Sequence, residues 1–193
     1  MSSFYALLSR LGHIQRWSLM RNREPENVLE HSYMVALLAH ALAVVRRDVL
    51  GLPGDPEKAA TAALFHDATE VFTGDMPTPV KYFNSDIRAA YRRVEDAATE
   101  RLLSLLPDTL TESYRPYLEA DRHSETGALI HAADTLSAYL KCVGERRAGN
   151  SEFALAERQT KEKLQAMKRP EVDWFLAHCA PAFGQALDEW EGS

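Results

Sequence analysis

Apolar positions along this chain recur every three or four residues, and no stretch alternates with the two-residue period of a β-strand. The clearest example is a stripe of five positions with the spacing of one buried helix face. It consists of His31, Val35, Leu38, Leu42 and Val45. Asn27 and Glu30 form a capping-box pattern and predict that this helix opens at about Val28. The pattern as a whole predicts an all-α fold, a single-domain helical bundle over residues 1–193.

Turn residues predict the limits of two further helices that contain polar side chains. Asp55 and Pro56 have the types of an N-cap and a first helical residue, and Gly74 predicts the end of the helix that they open. Ser124 caps a predicted helix that runs to about Arg147. The apolar stripe of this helix is Ile130, Ala133, Ser137 and Leu140. The sequence shows no internal repeat and no domain boundary.

Composition restricts the classes of function. The chain has 46% hydrophobic and 26% charged residues, a net charge of −6 and no basic run, which argues against nucleic acid or an anionic membrane as the main partner. The N-terminus lacks the segments of a signal peptide, and the longest apolar run, 34–45, is interrupted by His40 and is too short to span a bilayer. Cys142 and Cys179 do not form a metal-binding Cys-x-x-Cys pair. We therefore expect a protein of the reducing cytoplasm.

Three polar side chains interrupt the apolar pattern of the helix that follows Pro56. Because positions three and four apart share a helix face, a continuous helix would place His66, Asp67 and Glu70 close together. Burying this trio without partners would be costly, and a divalent cation is the simplest compensation. The alternative is a solvent-exposed helix face with a histidine–carboxylate pair, because an isolated His-Asp dipeptide is weak evidence. Ligands of the right type on other helices would decide between the two.

Candidate ligands do occur on two other predicted helices. His31 is at the head of its stripe, where a buried structural histidine is the alternative, and Asp134 is a carboxylate beside a buried face. A separate segment, Arg16 and Trp17, combines a guanidinium suited to phosphate with a stacking surface. A surface loop with a tryptophan folded into the core explains that segment equally well. Spacing alone does not identify a site whose members are spread over separate helices.

Seven segments together carry a resemblance to a known family. They are Arg16-Trp17, Arg21-Asn22, Glu30-His31-Ser32, His66 to Glu70, Thr73 to Asn84, Ala133-Asp134 and Ala138 to Cys142. The run from Thr73 to Asn84, TGDMPTPVKYFN, is far longer than a chance match. Through these segments the chain resembles the HD-domain metal-dependent phosphohydrolases, and most closely the bacterial 5′-deoxynucleotidases of the YfbR type. The resemblance extends over nearly the whole chain and implies a helical bundle of the HD-domain type.

The resemblance implies a catalytic divalent metal. Its ligands would be His31, His66, Asp67 and Asp134, a donor set suited to Mn, Co, Fe or Zn. The implied reaction is hydrolysis of deoxyribonucleoside 5′-monophosphates to deoxynucleoside and phosphate, by attack of a metal-bound water. Glu70, Arg16 and Asp67 would be the catalytic residues. Glu70 would activate the water or protonate the leaving oxygen, and Arg16 would bind the phosphate.

The resemblance also implies a substrate site and a homodimer. The substrate-binding residues would be Arg16, Trp17, His31, Asp67, Asp75, Met76, Pro77 and Thr78. Asp75 would accept a hydrogen bond from the 3′-hydroxyl, and Trp17 would fill the space that a 2′-hydroxyl needs. Two alternatives stay open. One is hydrolysis of a deoxynucleoside triphosphate or a cyclic dinucleotide at the same metal, and the other is a non-catalytic nucleotide sensor with a structural metal.

Overall fold

Ten α-helices and no β-strand are present in the residues that the computed structural model describes, which are 2–81, 83–119 and 124–189. The helices are α1 (Phe4–Leu8), α2 (Val28–Val44), α3 (Pro56–Ala63), α4 (Glu70–Thr73), α5 (Thr78–Lys81), α6 (Ser85–Leu103), α7 (Asp108–Leu118), α8 (Glu125–Arg147), α9 (Ala154–Ala166) and α10 (Pro170–His178). Short 3₁₀ turns occupy Ser9–His13, Ser151–Phe153, Ala180–Gly184 and Leu187–Glu189. The prediction of an all-α fold is confirmed.

The capping box at the start of α2 is formed as predicted. Asn27 Oδ1 accepts hydrogen bonds from the main-chain N–H groups of Leu29 and Glu30, each at 3.0 Å. Glu30 Oε2 accepts one in return from the main-chain N–H of Asn27 at 3.1 Å. All five positions of the predicted stripe are buried, and His40, which lies off the stripe, is exposed. α2 therefore begins where its sequence indicates and turns the expected face to the core.

A π-helical turn, Val45–Val49, continues α2. The resulting helix, Val28–Val49, is the one helix in the described ranges that is long and apolar enough to cross a membrane by length and composition. Its most apolar 18-residue window has a mean hydropathy of 1.6, and 56% of that window is buried inside the protein. This helix is longer than the apolar run 34–45 of the sequence analysis. Burial among other helices explains its hydropathy, because a central helix is apolar around most of its circumference.

The main core surrounds α2, which packs against α3 and α8, with α9 and α10 adjoining. A smaller core joins Phe4 of α1 to Leu102 and Leu103 of α6. The segment that follows α3 connects the two, because Ala63 belongs to the main core and Ala68 to the smaller one. The residues between these alanines are therefore held from both sides, which gives a fixed position to His66 and Asp67.

The prediction of one continuous helix from Pro56 to Gly74 is wrong. α3 ends at Ala63, residues 64–69 form successive turns, and helical structure resumes at Glu70 as α4. Most main-chain hydrogen bonds in these turns join residues three apart, which winds the chain more tightly than an α-helix. Gly74, with φ +70°, ends α4 as predicted.

The His66 side chain accounts for this break in the helix. Its Nδ1 lies 2.7 Å from the carbonyl oxygen of Ala63, which in a regular helix would accept the main-chain N–H of Asp67. The ring and the main-chain N–H of His66 both bond to that carbonyl instead. The helical bond is thus replaced by one that orients an imidazole.

The loop between the first 3₁₀ turn and α2 is fixed at both ends. At its base, Gln15 and Asn27 form an antiparallel bridge. At its far end, the buried carboxylate of Glu145 on α8 accepts hydrogen bonds from the main-chain N–H groups of Arg23 and Glu24 at 3.0–3.1 Å. The same carboxylate also bonds to Lys141 at 2.5 Å and Asn150 at 2.7 Å.

The bonds to Glu145 predict a pH dependence of stability. Desolvation acts to raise the pKa of Glu145, but Lys141 and the other donors outweigh it and lower the pKa from 4.5 to about 2. A lowered pKa stabilises the fold above the unfolded-state value, and this contribution is lost as the pH falls from about 4.5 to about 2. We expect Glu145→Gln to lower the free energy of unfolding by on the order of 3 kcal/mol at pH 7, and by progressively less toward pH 3.

Urea unfolding followed by circular dichroism measures this difference at each pH. Glu162→Gln, on the exposed side of α9, is a matched control and should show no comparable loss. A loss for Glu145→Gln that stays equal at pH 7 and pH 3 would show that its charge contributes nothing.

Gly54, in the turn before α3, packs against the main chain of α2. A Cβ atom added there would lie 2.7 Å from the carbonyl oxygen of Ala43. We expect Gly54→Ala to destabilise the protein by about 1–3 kcal/mol, as overpacking does, with a lower Tm in thermal unfolding. Gly144→Ala on α8 is the control, because its Cβ would meet nothing within 4 Å and alanine favours a helix. Equal melting temperatures for the two variants would contradict the prediction.

Candidate metal centre and active site

Four side chains from three parts of the fold converge at one point. They are His31 in the first turn of α2, His66 and Asp67 in the turns after α3, and Asp134 in α8. His31 Nε2 lies 3.1 Å from Asp134 Oδ1 and 3.6 Å from Asp67 Oδ2. His66 Nε2 lies 3.1 Å from the same Asp67 oxygen. The structure thus brings together all four residues that the sequence analysis singled out as ligands.

The donor atoms at this point fit a metal ion. The Nε2 atoms of His31 and His66 are buried and have no partner in hydrogen-bond geometry. One donor atom each from His31, His66 and Asp134 lie within 4.8 Å of one another. Buried polar atoms are normally hydrogen-bonded, so two unpaired ring nitrogens that face carboxylates suit a bound cation. Imidazole and carboxylate donors in this number favour a divalent transition metal.

The contacts of the other ring nitrogens orient both imidazoles. The carbonyl of Ala63 can only accept, so Nδ1 of His66 carries a proton and Nε2 is the nitrogen that faces the candidate metal site. Nδ1 of His31 lies 3.3 Å from a carboxylate oxygen of Glu26 and 3.3 Å from the hydroxyl of Ser137. Hydrogen bonds of this kind on the far side of a ring orient it for metal binding.

The charges at the site favour a cation. Desolvation acts to raise the pKa of Asp67, but His66 outweighs it and lowers the pKa to about 2. For Asp134 desolvation acts the same way, and His31 lowers its pKa well below the ordinary range. Burial acts to lower the pKa of His66, yet the adjacent Asp67 raises it to about 9. The pocket therefore stabilises positive charge, which a divalent ion supplies.

Glu70 adds a carboxyl group that carries a proton at neutral pH. It is the first residue of α4, it is 9% exposed, and its Oε2 has no hydrogen-bond partner. Burial raises its pKa to about 9, and the negative charges of Asp67 and Asp75 act in the same direction. Arg16 and His66 oppose this shift without cancelling it. The site thus holds a neutral carboxyl group beside two carboxylates, a perturbation typical of functional sites.

Arg16 and His66 both lie close to the same oxygen of Asp67. Its Nη1 is 3.6 Å from Asp67 Oδ2, and its Nε is 3.8 Å from Glu26 Oε1. Burial acts to lower its pKa, but Asp134, Asp67 and Glu26 outweigh it and raise the pKa, so the guanidinium stays charged. Its Nε has no hydrogen-bond partner. The side chain is therefore a mostly buried positive charge, held by two carboxylates and with unused donors.

Trp17 and Asp75 lie beside this arginine. Trp17 has φ 55°, an uncommon conformation for a large residue, and its ring packs against Phe153 at a centroid distance of 5.3 Å. Burial raises the pKa of Asp75, while Arg16 and the main-chain N–H of Trp17 act to lower it. These interactions show that the predicted phosphate and sugar residues adjoin one another.

The remaining predicted substrate residues continue the same loop. Met76 and Pro77 are half-buried and follow directly after Asp75. Thr78 begins α5, but its side chain lies outside what the structure describes, as does Tyr82 as a whole. The contact of these residues with a nucleotide stays a prediction.

Glu26 is a residue of the site that was not among those predicted from the sequence. Its carboxylate is 15% exposed and lies between Arg16, Trp17 and His31. Burial acts to raise its pKa, but His31 and Arg16 outweigh it and lower the pKa. The sequence indicates a role for Glu26 only through its position, because it directly precedes the N-cap Asn27 and lies five residues before the candidate ligand His31. That signal is weak because the contacts depend on how the loop closes.

One polar face of α8 serves the site and the loop together. Its members are Asp134, Ser137, Lys141 and Glu145, spaced three or four residues apart. Asp134 and Ser137 contact His31, while Lys141 and Glu145 hold the loop that carries Arg16. Ser137, predicted only as part of an apolar stripe, is buried with its hydroxyl toward the imidazole.

The fold and this site define a class of protein. The structure is similar to an HD-domain phosphohydrolase from Listeria innocua, with a TM-score of 0.80 and 26% identity over 94% of this chain and 88% of that one. The HD phosphohydrolase of cyanophage S-2L, bound to dA and one catalytic Zn²⁺ ion, matches in fold with a TM-score of 0.65 and 21% identity. That match covers 91% of this chain and 95% of the other. The chain is therefore an HD-domain phosphohydrolase.

The sequence places the chain in one family of this class. Residues 3–183 match the family described as 5′-deoxynucleotidase YfbR-like. A 5′-deoxynucleotidase of Vibrio parahaemolyticus is 47% identical over 189 residues, 97% of each chain. One from Photorhabdus temperata is 46% identical over 190 residues, 98% of this chain and 96% of that one. This protein belongs to the YfbR-like 5′-deoxynucleotidase family.

The converging donors predict that His66→Ala removes the metal. We expect the wild-type protein, incubated with Mn²⁺, Co²⁺ or Zn²⁺ and desalted, to retain one equivalent by elemental analysis, and His66→Ala to retain almost none. His40→Ala, which changes an exposed histidine of α2, is the matched control and should keep its metal. Full occupancy in the His66→Ala protein would place the metal elsewhere.

Proposed function

We propose that this protein is a metal-dependent phosphomonoesterase that hydrolyses deoxyribonucleoside 5′-monophosphates to a deoxynucleoside and phosphate. One observation carries the proposal. Metal-type donors converge beside a buried guanidinium and a proton-bearing carboxyl group, in a chain 47% identical to a 5′-deoxynucleotidase. A nucleotide sensor with a structural metal needs neither the proton on Glu70 nor the free donors of Arg16, so these residues favour catalysis.

Four residues would hold the divalent cation: His31, His66, Asp67 and Asp134. When bound, such a cation lowers the pKa of a coordinated water and offsets the charge of a phosphate. The chain orients its donors in advance, because Ala63 and Glu26 fix the outer nitrogens of the two imidazoles. The donor set suits Mn, Co, Fe and Zn alike.

Arg16 would bind the phosphate oxygens. Its contacts with Asp67 and Glu26, at 3.6 and 3.8 Å, are ion pairs that hold the guanidinium in place. They are longer than good hydrogen bonds and leave N–H groups for an anion. Because the guanidinium is already positioned and largely shielded from water, its charge can stabilise the transition state without reorganisation.

Glu70 would supply the proton for the leaving 5′-oxygen. Its raised pKa means that the carboxyl group is protonated at neutral pH, as a general acid must be. Offsetting the charge of Asp67 would bring that pKa down toward neutrality, where proton transfer is most efficient. This favours protonation of the leaving group over activation of the water as the role of Glu70.

Trp17 and Asp75 would recognise the sugar. Asp75, next to Arg16, would accept a hydrogen bond from the 3′-hydroxyl, and the indole of Trp17 would occupy the space of a 2′-hydroxyl. A ribonucleotide would then clash or leave its hydroxyl without a partner. Met76, Pro77 and Thr78 would complete the pocket from the same loop.

We further propose that the protein acts in the cytoplasm as a homodimer of one domain spanning residues 1–193. Support for self-association comes from the outer face of α2, where Leu29, Tyr33 and Leu37 are 47–64% exposed at four-residue spacing. The net charge of −6 supports a small-molecule substrate over nucleic acid or a membrane surface.

Substrate comparison tests the proposed function. With added Mn²⁺ or Co²⁺, we expect release of phosphate from dAMP with a kcat/KM at least about 10²-fold above that for AMP, because a polar group must be excluded. dATP should give little phosphate, because the proposed site has one guanidinium for one phosphate group. Chelation should abolish turnover, and added metal should restore it.

Asp67→Asn is the control for contaminating phosphatase, because it removes a proposed ligand and leaves the size of the side chain unchanged. Preference for dATP would favour the alternative of a triphosphate hydrolase. Tight binding of dAMP without phosphate release by the metal-loaded protein would favour the sensor.

A further inference from the structure

Glu26 contacts three side chains of the site at once. Its Oε1 lies 3.3 Å from Nδ1 of His31 and 3.8 Å from Nε of Arg16. Its Oε2 accepts a hydrogen bond from the indole Nε1 of Trp17 at 3.2 Å. The two oxygens thus have different partners, since one faces a metal-type ligand and the other a residue of the proposed sugar pocket.

Main-chain hydrogen bonds hold the backbone at and beside Glu26. The carbonyl of Glu26 accepts a hydrogen bond from the N–H of Arg16 at 2.9 Å. The adjacent residues Gln15 and Asn27 form the bridge at the base of the loop. A change in the side chain at position 26 therefore acts through its contacts with His31, Arg16 and Trp17, while the loop keeps its anchors at the bridge and at Glu145.

We propose that Glu26 is a positioning residue that orients the metal ligand His31 with one carboxylate oxygen and the indole of Trp17 with the other. Metal affinity and selection against a 2′-hydroxyl then depend on the same side chain. The first consequence rests on the geometry of His31 alone. The second consequence rests on the proposed function, because it assigns Trp17 to the sugar.

An amide at position 26 cannot reproduce both contacts. A carboxylate offers two acceptors, whereas glutamine offers one acceptor and one donor. If the NH₂ group faces His31, it favours the tautomer whose proton is on Nε2, the nitrogen that faces the metal site. If the NH₂ group faces Trp17, the indole N–H loses its acceptor. Glu26→Gln is therefore a nearly isosteric change that must disturb one partner or the other.

The test compares Glu26→Gln with Glu24→Gln, which makes the same chemical change at an exposed position of the same loop. Affinity for Mn²⁺ or Zn²⁺ is measured by titration without substrate, and kcat and KM are measured for dAMP and AMP at saturating metal. If the NH₂ group faces His31, an outer partner of a metal ligand is altered, and we expect Glu26→Gln to bind metal about 10–100-fold more weakly. If it faces Trp17 instead, we expect the ratio of kcat/KM for dAMP over AMP to fall about tenfold or more. Glu24→Gln should change neither quantity.

A second variant isolates the indole contact. Trp17→Phe keeps an aromatic ring but removes the N–H, so it should lower the dAMP to AMP ratio and leave metal affinity unchanged. The double variant with Glu26→Gln should lower that ratio no further than the larger single effect, because both changes break one interaction.

Several outcomes separate a positioning role from a general structural one. A loss of either metal affinity or the dAMP to AMP ratio in Glu26→Gln, at a Tm like that of Glu24→Gln, supports the proposal. Unchanged metal affinity with an unchanged ratio overturns it, even if turnover on both substrates falls. If wild-type protein hydrolyses neither nucleotide, the proposed function fails, and the metal titration still decides the contact with His31.

Discussion

Hydrogen bonds on the outer sides of two imidazoles determine what the site can do. The Ala63 carbonyl holds one proton on Nδ1 of His66, and the Glu26 carboxylate faces Nδ1 of His31. Both Nε2 atoms are consequently the nitrogens that face one point, beside two carboxylates. The bond to Ala63 replaces a helical hydrogen bond. The α-helix is therefore interrupted at the point where the imidazole of His66 is oriented.

The sequence predicts well those features that depend on neighbours along the chain. The capping box of α2, the N-cap and proline of α3 and the glycine that ends α4 are each set by side chains within a few residues of the main-chain groups they satisfy. The buried stripe of α2 follows from helical periodicity for the same reason. Three of the four converging ligand candidates are polar residues at positions where the pattern calls for an apolar one, and the fourth, Asp134, is a carboxylate beside a buried face.

Features that depend on distant contacts were not predictable in this way. The helix break after Ala63 results from a single side-chain bond that helix propensity does not register, since alanine-rich sequence favours continuation. Glu26 and Glu145 have no periodic signature. Glu145 lies 122 positions from its partner Arg23, and Glu26 meets Arg16 and His31 only because the loop closes. The placement of Arg16 beside Asp67 likewise depends on how that loop closes. The family resemblance included Arg16, whereas Glu26 and Glu145 lie outside the segments that carry it.

The polar face of α8 fixes the orientation of the metal-ligand candidate Asp134 relative to Glu145, which anchors the loop. Asp134 and Glu145 are eleven positions apart, close to three full turns, so one points to the metal site and the other to the loop from the same side of one rigid rod. Inserting or deleting one residue between them would rotate one relative to the other by about 100°. Between Asp134 and Glu145, substitutions of other side chains should therefore be tolerated far better than insertions or deletions.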